Sequence, residues 1–329
     1  MNAHVRFEYA TLREAIVGRA QGFRIPRLTA ALLAEYRRML PSDAFEFVKG
    51  GQGELLADYA PDIDAELTSQ IEHVVQLLER RGVRVHRPRP LTPTEQMFPY
   101  PGAEGGSLFF MRDPILVIGD VIIDLALRMP FRRRQRFAVR AIIEQKVERD
   151  GMHFISMPEA VPAAPDDDLA PAAFLEGGDV LLNGDEIYVG VSGHASSFEG
   201  VRWLQRTLGR KAQVHPVSLA DGTQHLDCAL SLPRPGLAIA CLAALRDGLP
   251  GELRKWDVID VSVEDAQRLA CNGLVLDMNT YVIDRAHAAL AGRLRASGLE
   301  VIEVPFHLPA LFGGGLRCAY HPLARSSVP

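Results

Sequence analysis

One pattern constrains this chain more than any other. A strand–turn–strand segment, followed in most cases by a helix and one more short strand, recurs along its 329 residues. Four segments carry apolar arms around Gly, Asn, Asp or Pro: Ile115–Asp124 (ILVIGDVIID), Val180–Gly190, Ala229–Cys241 and Leu274–Asp284. Apolar arms around such turn residues are hairpin chemistry. Helical spacing predicts helices over Phe131–Arg149, Phe198–Leu208 and Ala286–Ala296. A further helix is predicted over Ile63–Arg80, where Ile63, Leu67, Ile71, Val74, Val75 and Leu78 fall on one face. Strands are predicted at Val83–His86, Phe154–Met157, Gln213–Val217, Val258–Val261 and Leu299–Val304. Gly82, Gly151, Gly209 and Gly298 stand between helix and strand, where helices commonly stop. A fifth unit requires the strand Leu12–Gly18 to pair with the segment after Cys318. The expected architecture is α/β: a closed ring of five ββαβ-type modules in one domain spanning residues 1–329. The same elements would also serve a generic α/β or α+β domain.

Each hairpin is preceded by polar residues at an equivalent position. Arg112-Asp113 leads the first, Glu176-Gly177-Gly178-Asp179 the second, His225-Leu226-Asp227 the third, Cys271-Asn272 the fourth and Gly313 to Cys318 the fifth. Modules arranged around an axis would bring these residues together, which is how sites are assembled from distant parts of a chain. Taken singly, each has an ordinary reading. Cys318 can be a small buried hydrophobe, and Asp113 and the Gly-Gly-Asp run can be turn residues. Three glycines beside Cys318 allow close backbone approach, and Arg317 is expected to favour its thiolate. His225 and Asp227, two apart on an extended segment, face the same way.

The surplus of carboxylates around one thiol narrows the chemistry. Carboxylates raise a thiol pKa, which hinders a nucleophile acting alone. They suit a cationic substrate, because a guanidinium presents a flat fork of donors that carboxylates match in pairs. A Cys–His–acid protease does not explain Asp113, Glu176 and Asp227 together. A binding protein using the same pocket without turnover is the non-enzymatic alternative.

Other classes find little support. A net charge of −5 argues against a nucleic-acid footprint, and the run Arg132-Arg133-Arg134 reads as a solvated helix face. Gly313–Gly315 is not followed by the Lys-Ser/Thr of a phosphate-binding loop. The four cysteines form no CxxC pair, and His194, His215 and His321 lack metal-ligand spacing and are expected at the surface. Assigning the carboxylates to a substrate cation leaves no obvious metal ligand, so neither a metal nor an organic cofactor is expected. No apolar run approaches the roughly 18 residues of a membrane span, and no signal peptide is read. The cytoplasm, with free thiols, is the expected compartment. A homo-oligomer is left open.

At these residues the chain resembles the guanidine-modifying (pentein) superfamily, whose fold is a five-bladed α/β propeller. Within it the chain is most similar to the arginine amidinotransferases acting on glycine and inosamine phosphate. The matching pieces are RD at Arg112–Asp113, EGGD at Glu176–Asp179, HLD at His225–Asp227 and GGGxxC ending at Cys318. The longer stretches Leu12–Pro26, Arg80–Pro90 and Met111–Arg134 add to them. The resemblance implies that Cys318 is the nucleophile, His225 the acid/base and Glu176 the acid that orients it and holds the guanidinium. It implies substrate binding by Asp113 and Asp227, with Arg112, Asn272 and Arg246 in the same set; Arg246 stands near the place of the arginine that holds the substrate carboxylate. Arginine is the implied donor and a small amine the acceptor. EGGD is closer to arginine deiminases and dimethylarginine hydrolases than to the vertebrate-type amidinotransferases, so water as acceptor stays open. Selectivity is expected in the loops Gly50–Ala60, Gln96–Ser107 and Val161–Ala173.

Overall fold

The computed structural model describes residues 4–99, 105–159 and 172–327. Most of the Val161–Ala173 loop and part of Gln96–Ser107 lie outside the described residues.

The predicted hairpins form, and each gains a third strand on its second arm. Val121–Asp124 pairs antiparallel with Ile115–Ile118 and parallel with His153–Ser156. Glu186–Val191 does the same with Val180–Asn183 and Gln213–Ser218, and Leu237–Ala240 with Leu230–Arg234 and Asp257–Asp260. Thr280–Asp284 pairs with Leu274–Asp277 and Glu300–Val304. The fifth unit joins the two ends of the chain: Leu12–Val17 runs antiparallel to Tyr320–Arg325 and parallel to Arg84–His86. Among the described residues there are thus five three-stranded sheets of one design, plus a two-stranded sheet of Arg19–Arg24 with Gly106–Leu108.

Local chemistry explains the pattern. Asn183 faces Glu186 across a two-residue turn whose first residue, Gly184, has φ +70°. A tight hairpin needs a positive φ there, and glycine adopts it without steric cost. A parallel third strand needs a crossover, and in four of the five units helices supply it: Pro61–Arg80, Gln135–Asp150, Phe198–Leu208 and Ala288–Ala296. The unit built on Leu237–Ala240 instead crosses over through short 3-10 turns, including Gly251–Lys255. Leu67, Ile71, Val74 and Leu78 put the buried face of the first helix into the core, as the helical spacing predicts.

Two helices have no counterpart among the sequence expectations. Ala30–Met39 is capped by Thr29, whose side chain accepts from the N–H of Leu32, and Ser42–Gly50 follows it. Within the predicted loop Gly50–Ala60, residues Leu56–Tyr59 form a helical turn. No helix among the described residues is long and apolar enough to cross a membrane.

Candidate active site

Four hairpins and the fifth unit deliver their leading residues to one buried cluster. Asn272, ahead of the Leu274–Asp277 strand, holds Cys318 twice: its Nδ2 lies 3.3 Å from Sγ, and its Oδ1 accepts from the Cys318 N–H at 3.2 Å. The same Nδ2 donates to the Asp227 carbonyl at 3.3 Å. Cys318 Sγ lies 3.8 Å from Asp227 Oδ2. His225 Nε2 meets Glu176 Oε2 at 2.9 Å, and Glu176 Oε1 accepts the Arg128 N–H at 3.0 Å. Asp113 Oδ1 accepts the Gly178 N–H at 2.7 Å. Asp179 ties two segments together, accepting from the N–H groups of Leu226 at 2.9 Å and Ser196 at 3.1 Å.

The glycines of the Glu-Gly-Gly-Asp run are required by this crowding. A Cβ on Gly177 would sit 2.0 Å from the Arg112 carbonyl oxygen. One on Gly178 would sit 2.7 Å from His225 Nδ1 and 2.9 Å from Asp113 Oδ1. Without a side chain at residue 178, the second histidine nitrogen and the aspartate stay clear.

Burial and charge then set the proton affinities. Burial pushes the Cys318 thiol well above its ordinary value, and Asp227 and Asp113 push it further. Burial disfavours a charged His225, but Asp113, Asp179 and Glu176 outweigh it and hold its pKa up at about 10. Burial likewise opposes ionisation of Asp113, yet Arg132 and His225 bring it down to about 2. Burial raises Asp179 to about 7. The resting site therefore pairs a neutral thiol with a protonated imidazole.

Cys318, His225 and Asp113 open onto a cavity with about 720 Å³ of empty space, counting the part open to solvent. Its walls are mainly aromatic and aliphatic. Phe109 packs edge-on against Phe23 and Phe110 at ring-centroid distances of 5.0 and 4.5 Å. The two unforeseen helices wall one side with Tyr36, Met39, Leu40 and Val48.

Several expectations need correction. The run Arg132-Arg133-Arg134 is no solvated face; all three residues are buried. Arg132 belongs to the site, with Nη2 at 2.7 Å from Asp113 Oδ2 and Nη1 at 3.6 Å from Glu176 Oε2. Arg317 does not favour the thiolate. It is bound by Glu8 at 2.9 Å and Asp227 at 3.0 Å, so its charge is spent on carboxylates. Arg112 lies outside the cavity lining, as Glu176, Asp227 and Asn272 do: its Nε donates to the Arg317 carbonyl at 3.2 Å, and its guanidinium stacks on Tyr320. Arg246 is also absent from the lining; it is half-exposed and paired with Asp221 at 2.6 Å. His321 is buried, with Nδ1 3.2 Å from the Arg112 carbonyl, while His194 and His215 are partly buried and face Glu35 and Glu186.

Arg132, Tyr36 and the pair Glu35–Arg128 are the site residues that the sequence expectations omit. A usable signal for the helix carrying two of them was present. Thr29 is a cap, and Leu32, Leu33, Tyr36 and Leu40 recur at helical spacing. For Arg132 there was none, since its carboxylate partners come from remote segments.

Donor atoms of Asp113, Glu176 and His225 lie within 4.8 Å of one another, close enough to hold a metal ion. The guanidinium of Arg132 already places a positive charge on both carboxylates.

Comparison with known proteins bears on the fold and the family. No family model matches the chain. It is 25% identical to inosamine-phosphate amidinotransferase 1 of Streptomyces griseus, over 98% of this chain and 97% of that one. It is 26% identical to the L-arginine:L-lysine amidinotransferase of Pseudomonas savastanoi pv. phaseolicola, over 95% and 91%. Its fold matches an amidinotransferase of the saxitoxin biosynthetic pathway from Microseira wollei, with a TM-score of 0.83 at 21% identity over 99% and 98%. It also matches the N-terminal domain of a cyanobacterial arginine dihydrolase, with a TM-score of 0.69 at 16% identity over 96% and 99%.

Proposed function

We propose that the chain, as a member of the guanidine-modifying (pentein) amidinotransferase family to which its relatives point, moves an amidino group from arginine to a small amine through a covalent intermediate on Cys318. The observation that carries this reading is the acid-rich setting of the Cys318 thiol, the cysteine that lines the cavity. Burial, and after it Asp227 and Asp113, hold the thiol protonated at rest. A guanidinium entering beside Asp113 and Cys318 offsets the negative charge around the thiol, lowers its pKa and so helps to form its own nucleophile.

With the guanidinium bound, the Cys318 thiol gives its proton to solvent, and the resulting thiolate adds to the guanidinium carbon to give a tetrahedral adduct; a proton from solvent restores the thiol once the cycle ends. His225, protonated at rest, donates its proton to the departing nitrogen, and ornithine leaves. The amidino group stays on sulfur as a thioether-like cation facing the carboxylates. An incoming amine attacks the same carbon, neutral His225 takes its proton, and the carbon–sulfur bond breaks to return the thiolate. Glu176 orients the imidazole throughout, and Asn272 fixes the sulfur. Neither a metal nor an organic cofactor enters this scheme. In the same reading the five sheets are blades of one pentein propeller spanning residues 1–329, and the enzyme works in the cytoplasm.

Water as second nucleophile is the alternative, favoured by the Glu-Gly-Gly-Asp run and by the fold shared with the dihydrolase domain. Product analysis separates the two. Arginine with a suitable amine should give ornithine and a new guanidine compound, and arginine alone little citrulline. Without any amine, rapid formation of urea beside ornithine (water attacking the same intermediate), or of citrulline and ammonia (ammonia leaving in place of ornithine), would replace transfer by hydrolysis.

A further inference from the structure

Resting on the reading of Cys318 as the nucleophile, we infer that Glu8 is a positioning residue of the site: through Arg317 it holds Asp227 against the sulfur and keeps the Arg317 charge from reaching it. Glu8 lies in the segment that precedes the first strand. Val5 bridges Gly119 and Phe7 bridges Asn183, so this segment runs across the turn ends of the first two hairpins. The Glu8 N–H donates to the Leu182 carbonyl at 3.0 Å, and Glu8 Oε1 accepts the Leu182 N–H at 3.3 Å. These contacts deliver a buried carboxylate to Arg317, the residue beside Cys318.

The donors of Arg317 are all placed. Nε and Nη2 meet Glu8 Oε2 and Oε1 at 3.3 and 2.9 Å, and Nη2 also meets the Val180 carbonyl at 2.8 Å. Nη1 donates to Asp227 Oδ2 at 3.0 Å, and that same oxygen stands 3.8 Å from Cys318 Sγ. A forked carboxylate thus fixes the guanidinium, and the guanidinium fixes the carboxylate that faces the nucleophile. Burial opposes ionisation of Glu8, but Arg317 and Arg112 bring its pKa down to about 2. An arginine beside a cysteine ordinarily favours the thiolate; Glu8 offsets that charge here. Asp227 and Asp113 are then left to act on the thiol. His225 and Arg132 share the cavity with Cys318, and the Cys228 thiol lies 3.6 Å from the other oxygen of Asp227. Arg112 and Arg325 also act on Glu8, and Tyr320 on Arg317, while burial keeps His321 uncharged. A neutral resting thiol reacts slowly with stray electrophiles, because the thiolate is the attacking species. The substrate guanidinium, in place of Arg317, supplies the charge that activates it.

Alkylation of Cys318 tests this without any substrate. Iodoacetamide rates are followed from about pH 7 to 10, with the label located by peptide mass spectrometry to separate Cys318 from Cys228. Glu8→Gln keeps the shape and removes the charge. The thiol pKa should fall by about one pH unit, and Cys318 should alkylate about threefold faster or more, part of the gain being lost because a less basic thiolate attacks more weakly. Glu8→Asp keeps the charge and opens space, so its rate should stay near that of the wild type. Should Glu8→Gln fail to fold, combining it with Arg317→Gln removes the ion pair as a whole. Without the nearer cation, Cys318 should then alkylate more slowly than in the wild type. An unchanged rate in Glu8→Gln overturns the inference. So does an equal acceleration in Glu8→Asp, which marks mere loosening, or a double variant at or above the wild-type rate. Absence of an amidino adduct from arginine would instead overturn the reading of Cys318 as nucleophile, with the order of alkylation rates still deciding this one.

Discussion

At His225, burial and charge act against each other. Burial alone would strip the imidazole of its proton, but Asp113, Asp179 and Glu176 hold its pKa up at about 10. The sign of the pH effect follows. A pKa raised above the unfolded value of 6.5 gives stability that is fully present below pH 6.5 and is lost as pH rises through about 10. Thermal unfolding from pH 6 to 10.5 should therefore show the wild type losing its advantage over His225→Asn as pH rises. A constant difference between the two would show that His225 does not carry that charge. Turnover of His225→Asn should fall by roughly 10²- to 10⁴-fold, the usual contribution of a positioned acid/base. Most of this site was legible because Asp113, Glu176, His225, Asp227, Asn272 and Cys318 each precede a hairpin at the same point. Arg132 was not legible. Three consecutive arginines look like a wet surface unless one knows that Asp113 and Glu176 fold over the first of them. Arg246, singled out by its place along the chain, has its guanidinium on Asp221 at the surface.

The Ala30–Met39 helix shows how one element serves both packing and site. Its outer face carries Arg37 and Arg38 into solvent, while Tyr36 and Met39 line the cavity. Glu35, on the buried side, meets Arg128 Nη1 at 2.7 and 2.9 Å. The Arg128 N–H in turn holds Glu176. Glu35→Ala leaves Arg128 buried without its carboxylate, an arrangement that typically costs about 3–5 kcal/mol. It should lower the melting temperature by several degrees and raise KM for the donor, because the cavity wall and the backbone support of Glu176 loosen together. Calorimetry with steady-state kinetics checks both, and an unchanged KM would separate the helix from the site. The hairpins were easy to read, since Gly-Asp and Pro-Gly turns mark them. The helices at residues 30–50 were harder, because Pro41 splits the stretch into two short pieces. The crossover after Leu237–Ala240 uses short 3-10 turns, with no helical period to detect.

For the whole molecule the decisive feature is that the chain's two ends share a sheet. Leu12–Val17 is the middle strand of the unit whose outer strand, Tyr320–Arg325, begins two residues after Cys318. Ile16 is fully buried in that middle strand. Ile16→Ala should cost about 2–5 kcal/mol and lower activity as well as the urea midpoint, because the strand supports the nucleophile's turn. Retained activity with reduced stability would show the turn to be held independently. The pairing of Leu12–Val17 with Tyr320–Arg325 was foreseeable, since four complete units leave one orphan strand at each end. The tilt and spacing that bring five leading segments to one thiol come from long-range packing, which no local pattern records. The central claim is that Cys318 carries the amidino group between donor and acceptor. Acid-quenched enzyme, mixed with arginine and no amine, should show one amidino adduct by mass spectrometry, located on the Cys318 peptide and matched by one equivalent of ornithine. Cys318→Ala should show neither. Turnover that persists in Cys318→Ala, or proceeds in the wild type with no adduct on Cys318, would contradict the account.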